Sequence, residues 1–324
     1  MNNNREIRER FIKDLKLSIP VIESPYFEFY LDLYEKDWNA KSDYNRLIEA
    51  ISKNQHFLAD FYKVRDKMIQ YIKSQESFNK FNTCDIHSLY GNPKFANIRS
   101  NAIYNEEFAG GIYISLDLKK ANIQSLRYWD PDMFIKDDSL WIDEVWEKWV
   151  EYLCGEDMDL AWYIKKSKYI RQVVFGNCNP KRQITLERWM VGEGANEFIK
   201  IANISEDKVI YASTDEVILK VDKLIDKDEL QGISDLVFKE VGIELRAQSF
   251  KLESISYLNG AGETIRLYKK LYSDGTVDYK GVSRHYFPQI YMDQNEIDPD
   301  PQERDLVFYQ EKDLAKFLKR LCRS

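Results

Sequence analysis

Long apolar runs are missing from this chain. None approaches the ~18 residues that a membrane-crossing helix needs, so no membrane partner is expected. Proline and glycine are scarce, 8 and 13 among 324 residues, which excludes collagen-like stretches and long disordered linkers. The cysteines Cys84, Cys154, Cys178 and Cys322 are scattered. They make no disulfide framework for a chain of this size, and a reducing, cytoplasmic compartment fits. The opening MNNNREIRER has no apolar segment behind a basic cap, so no secretory signal is expected. Basic residues are not in excess either. Lys and Arg number 47 against 54 Asp and Glu, a net charge of −7, which argues against a basic coat but leaves room for a local basic groove.

What is present is an ordinary globular balance, 44% hydrophobic and 31% charged, with extra Tyr and Phe. The length allows one large or two modest domains at ~150 residues each. Asn, Lys and Ile are plentiful, as in chains from AT-rich sources such as phages, for which the compartment is the host cytoplasm. Residues 1–106 read as helical. Phe57, Phe61, Val64, Met68 and Tyr71 make one stripe, and Ser24-Pro25 reads as an N-cap and first-turn pair for a helix carrying Phe27, Tyr30 and Leu31. After Gly110-Gly111 comes a β-rich run, Ile112 to Leu118. Helix returns over 138–175, as one segment ended by Gly155 and a second from Met158 to Phe175. Val209–Ser213 and Val217–Val221 read as paired strands. Asp226 with Glu229 reads as a capping box for a helix closed by Gly242. Asp274-Gly275 marks a hairpin, and Glu311 to Leu321 reads as a closing helix. Helices with antiparallel strands imply α+β rather than a doubly wound parallel sheet.

Two acids fall where strands end or turn, Asp117 and Asp215. Two such carboxylates suit two Mg²⁺ or Mn²⁺ ions with positions left open for phosphate and water. Between them runs a basic helix with Lys165, Lys166, Lys168 and Arg171. Lys165, Lys168, Gln172 and Phe175 share a face by their 3, 4, 3 spacing. Carboxylates for metals and cations for a triphosphate are what phosphoryl transfer requires.

In motif order and content these residues resemble the polymerase core of family-B DNA polymerases, over about residues 107–290. Ser115-Leu116-Asp117 through Arg127 looks like motif A, with its metal-binding Asp on Asp117. Lys168 to Gly176 looks like motif B, with the triphosphate-binding Lys on Lys168, Gln172 for Asn, Phe175 for Tyr, and Gly176 kept. Tyr211 to Glu216 looks like motif C, with its second Asp on Asp215 and Ser213 in place of the first. Lys269-Lys270-Leu271-Tyr272 matches the KKxY run that grips primer-template duplex, and Lys280-Gly281 to Arg284 resembles the run that follows it.

The resemblance implies an antiparallel palm at 107–128 and 205–290, a helical fingers-like insertion at 129–204, a helical N-terminal region at 1–106 and a thumb-like helical remnant at 291–324. It implies template-directed nucleotidyl transfer with a dNTP or NTP on a primer-template. Lys165, Lys168, Arg171, Gln172, Phe175, Gly176 and Asn122 would lie at the nucleotide, and Lys269, Lys270, Tyr272, Lys280 and Arg284 along the duplex. No DxE exonuclease motif is seen in the first 106 residues, so proofreading falls to another replication subunit. Asn122 replaces the bulky Tyr that excludes a 2′-hydroxyl, which implies tolerance of ribonucleotides.

Other readings stand beside this one. Leu116 to Ala121 and the Val209 hairpin also resemble reverse transcriptases, and a primase-like polymerase fits the same palm. A catalytically inactive palm that binds nucleic acid and a helical interaction protein with an acidic surface are the non-enzymatic alternatives. Cys84 and His87 have CxxH spacing, which without a second close pair is a weak zinc signal.

Overall fold

The computed structural model describes residues 2–98, 103–137, 139–259 and 263–298, together with three C-terminal strand segments as backbone. Its centre is one antiparallel sheet in the order β2-β3-β1-β4-β5-β6. The strands are β1 (Ile112–Leu118), β2 (Val209–Ala212), β3 (Glu216–Val221), β4 (Leu245–Asn259), β5 (Thr264–Tyr272) and β6 (Val277–Lys280). The mixed content and antiparallel pairing bear out the α+β expectation.

Strand alternation divides the β1 side chains between two faces. Ile114, Leu116 and Leu118 join Val217, Leu219 and Leu245 in the main core. On the other face Tyr113, Ile218, Phe250, Leu252 and Tyr268 form a smaller cluster, and Ser115 and Asp117 follow Tyr113 by the same alternation. The first face is covered by helices, and the second carries the acids.

Among the described residues seven helices precede β1: α1 (Asn2–Leu15), α2 (Tyr26–Leu33), α3 (Glu35–Trp38), α4 (Ala40–Lys53), α5 (Phe57–Ser74), α6 (Glu76–Thr83) and α7 (Ile86–Tyr90). The stripe of α5 is buried as expected, except that Ile72 takes the inner place read for Tyr71. Ser24 does not cap α2. Its hydroxyl donates to the Glu28 carboxylate at 2.9 Å, and Pro25 holds the cap position without a side-chain bond. Between β1 and β2 lie α8 (Ala121–Trp129), α9 (Ile142–Cys154), α10 (Met158–Lys166), α11 (Lys168–Gly176) and α12 (Pro180–Ile201). α13 (Lys227–Val241) follows β3, and α14 (Phe287–Gln294) follows β6.

α11 packs on α1 and α5, and α10 on α4 and α5, so the N-terminal helices and the insertion share the main core. Buried Asp14 pins them together, taking Arg10 at 3.0 Å and the Tyr163 hydroxyl at 2.8 Å. α12 and α13 pack against each other and against the sheet. Gly194 allows that approach, because a Cβ there would meet Ile243 at 3.1 Å and Leu245 at 3.3 Å.

Two helix expectations are corrected, and two elements enter that the sequence pattern did not delimit. The helix read from Met158 to Phe175 is two helices, because Ser167 leaves helical geometry and its hydroxyl caps α11, accepting from Ile170 N–H at 3.0 Å. The long β4 carries no clear strand signal, and α12 is expected only as an undelimited part of the helical insertion at 129–204. β4 is long because it pairs β1 over Leu245–Lys251 and β5 over Phe250–Leu258. In place of part of the closing helix, β9 (Phe317–Leu321) is a strand that pairs β4, after the short strands β7 (Tyr309–Gln310) and β8 (Asp313–Leu314). The rest of 299–324 lies outside the described residues. Among the described residues no helix is long and apolar enough to cross a membrane.

Candidate active site

Asp117 is the last outward-facing residue of β1. The register places Glu216 of β3 opposite it on one side and Arg246 of β4 on the other. Directly opposite residues share a face, so Glu216, Asp117 and Arg246 form a row across three strands. The Arg246 guanidinium donates to Asp117 Oδ2 in an ion pair. Asp215 sits in the turn between β2 and β3, and its carbonyl accepts from Leu118 N–H at 2.9 Å. That bond locks the turn against the end of β1, so both acids project from one end of the sheet. Ser213 closes the turn through Glu216: its N–H and hydroxyl donate to the Glu216 carbonyl at 2.8 and 3.2 Å. The residue standing where motif C has its first Asp is thus a turn-former.

The electrostatics follow from this crowding. Burial raises the Asp117 carboxyl pKa, Asp215 and Glu216 add to the rise, and Arg246 opposes it. Asp215 is raised by partial desolvation and then by Glu216. Glu216 itself is well served: Ser115 Oγ donates to it at 2.5 Å and Lys270 Nζ lies at 3.6 Å. Behind Asp215, on α12, Glu187 is buried and pushed up to about 7, by burial first and by Asp215 second. Asn122 Nδ2 donates to Glu187 Oε1 at 3.4 Å.

The insertion and the N-terminal helices also bring together a group of cations. Lys120, three residues beyond Asp117, stands in left-handed conformation at the start of α8 and pairs with Asp143. Burial, then Arg171, pushes its amine down to about 8, with the Glu147 and Glu244 carboxylates working in the opposite sense. Lys16, just beyond α1, is lowered by burial and then by Lys168 and Arg171. Lys16, Lys120, Lys168 and Arg171 therefore form one mutually repelling cluster, which an anion of high charge density would relieve.

Some expected site residues fall elsewhere. Lys165 belongs to α10 and binds Glu151 at 2.8 Å, since the break at Ser167 removes it from the face of Lys168. Phe175 is buried in the core against Phe134, where it cannot border a base pair. Gln172 and Gly176 are exposed on α11. Consecutive residues alternate along β5, so Lys269 and Lys270 face opposite sides of the sheet. Lys270 is 4% exposed, with its ammonium 4.4 Å from the Phe250 ring centroid. Lys269 donates to Gln294 at 3.3 Å. Tyr272 packs on Phe250, Lys280 pairs with Asp278 at 2.8 Å, and Arg284 is exposed.

Sequence reading gave no role to Arg246, Glu187, Lys16 and Lys120. The first two lie on β4 and α12, elements it did not delimit. Lys120 lay in plain view three residues after Asp117.

Asp117 and Asp215 offer only carboxylate oxygens, the donor type that Mg²⁺ and Mn²⁺ prefer. Each has its pKa raised in part by a neighbouring carboxylate, so a cation would relieve the pair. The residues fit such ions, in competition with Arg246. Among the described residues no group of three or more His, Cys, Asp or Glu is arranged to hold a metal, and Cys84 with His87 makes no such site. Compared with protein-family models, curated protein sequences and solved structures, the chain matches none of them.

Proposed function

We propose that this chain is a template-directed nucleotidyltransferase with a family-B-like palm, extending a primer with dNTP or NTP. The reading rests above all on Asp117 and Asp215 at one end of an antiparallel sheet, locked by the Leu118 to Asp215 bond, with Lys120 three residues beyond Asp117 and coupled to Arg171. Asp117 and Asp215 would hold Mg²⁺ or Mn²⁺, which when bound neutralises phosphate charge and activates the attacking hydroxyl. Lys168 and Arg171, with Lys120 and Lys16, would orient the triphosphate by charge-assisted contacts. Asn122, without a ring, leaves room at the sugar, so discrimination against ribonucleotides is expected to be weak. Proofreading would come from a separate subunit. Primer extension with dNTP or NTP in Mg²⁺ or Mn²⁺, run beside Asp117→Ala, tests the assignment. Extension by the unmodified protein and none by the variant supports it.

One observation favours a second reading, a palm that binds nucleic acid without catalysis: Arg246 already neutralises Asp117. It would give salt-sensitive duplex binding with no incorporation under any divalent ion.

A further inference from the structure

A cavity of about 270 Å³ lies among α8, the start of α9 and the end of α13. Gln124, Arg127, Tyr128, Ile142, Phe238 and Glu244 are part of its wall. Glu244 is 3% exposed and held from every side. Its Oε1 accepts from Ile142 N–H at 2.6 Å, its N–H donates to Gln124 Oε1 at 2.7 Å, and its carbonyl accepts from Gln124 Nε2 at 3.0 Å and Lys119 N–H at 3.2 Å. The carboxylate is therefore unable to swing out to water. Its role at the start of α9 accounts for Oε1. Oε2 has no hydrogen-bond partner among the described residues. A buried acceptor left without a donor is costly, and more so when charged.

The charges around the cavity narrow what would serve Oε2. A cation is opposed by Lys119, Arg127 and Lys120, which all act on Glu244. Arg127 itself is committed, its Nη1 and Nη2 donating to the Leu140 and Asp137 carbonyls at 2.6 and 3.0 Å. An anion is opposed by Glu244. A hydrocarbon would leave Oε2 unpaired. A neutral group with an N–H donor fits, and the Phe238 and Tyr128 rings with Ile142 supply apolar walls that suit a planar ring. The volume lies just below the ~300 Å³ at which drug-sized ligand pockets begin, and suits one fused ring system.

We propose that this cavity binds a neutral planar nitrogen heterocycle with adjacent N–H donors on one edge, of the kind guanine presents, with Glu244 Oε2 as the acceptor. The site shares no side chain with those assigned to nucleotidyl transfer. Calorimetric titration of the full chain with guanosine and with adenosine tests it. Guanosine is expected to bind one to one. Adenosine, which carries an acceptor at the matching ring position, is expected to bind at least about tenfold more weakly. Glu244→Gln is expected to weaken guanosine at least about tenfold, with folding checked by thermal melting. Phe238→Ala is expected to weaken it too, and carries the test if Glu244→Gln does not fold. Asp117→Ala should leave guanosine affinity unchanged. No saturable guanosine binding, equal binding of adenosine, indifference to Glu244→Gln, or loss in Asp117→Ala would each overturn the proposal.

Discussion

Asp117 stands between a like charge and an opposite one, Glu216 across β3 and Arg246 across β4. Arg246 is 59% exposed on its side chain, and an exposed pair of this kind is worth at most ~1 kcal/mol. Arg246→Ala is therefore expected to tighten Mn²⁺ binding about fivefold, the equivalent of that ~1 kcal/mol. Calorimetry checks it, and unchanged or weaker binding would show that Arg246 is no competitor. Glu187 is different, because it is buried. Its folded-state value of about 7 lies above the ordinary 4.5, so the folded chain holds this proton more tightly than the unfolded one. Stability is then lost as pH rises from about 4.5 to about 7, amounting to ~3 kcal/mol above that window. Glu187→Gln should remove this slope in urea unfolding at about pH 5 and about pH 8.5. An identical slope in the variant would contradict the burial of a titrating carboxyl. At this scale the sequence was legible where a turn or strand signal framed a charged residue, as at Asp117 on β1 and Asp215 in the turn between β2 and β3. It misled at Lys270, where charge suggested exposure but strand alternation buries the side chain over Phe250.

The elements show why some signals carry and others do not. The stripe of α5 and the Asp274-Gly275 hairpin follow one periodicity each and could be read directly. α12 is the longest helix among the described residues, yet Gly192 and Gly194 interrupt its pattern. Glycine lowers helix propensity by ~1 kcal/mol, and only tertiary packing explains these two: Gly192 lies against the Lys94 backbone, and Gly194 against Ile243 and Leu245. β4 hides because both of its faces mix polar and apolar residues: Arg246 and Gln248 precede Phe250 and Leu252 on one, and Ser249 interrupts the other. The break between α10 and α11 depends on a single hydroxyl. Ser167→Ala should cost ~1 kcal/mol by loss of the N-cap, seen as a lowered melting temperature. A gain in stability would mean that the helix prefers to run through.

At the scale of the whole molecule, an acidic chain with net charge −7 gathers Lys16, Lys120, Lys168 and Arg171 into one cluster. This local arrangement was only half visible in the sequence, because Lys16 arrives from the N-terminal helices through the packing of α1 on α11. Its proposed ligand is a triphosphate, so Lys168→Ala should weaken nucleotide use and leave duplex affinity nearly intact. Filter binding and single-nucleotide kinetics separate the two, and lost duplex binding with normal nucleotide use would contradict the assignment. The central claim is that Asp117 and Asp215 together support nucleotidyl transfer. Its most direct measurement is primer extension in Mg²⁺ or Mn²⁺ by the unmodified chain, Asp117→Ala and Asp215→Ala at matched folding. The account expects extension by the first and a loss of at least about a thousandfold, ~4 kcal/mol in barrier, in each variant. Extension that persists in either variant, or a well-folded unmodified chain that binds duplex but incorporates nothing, would contradict it.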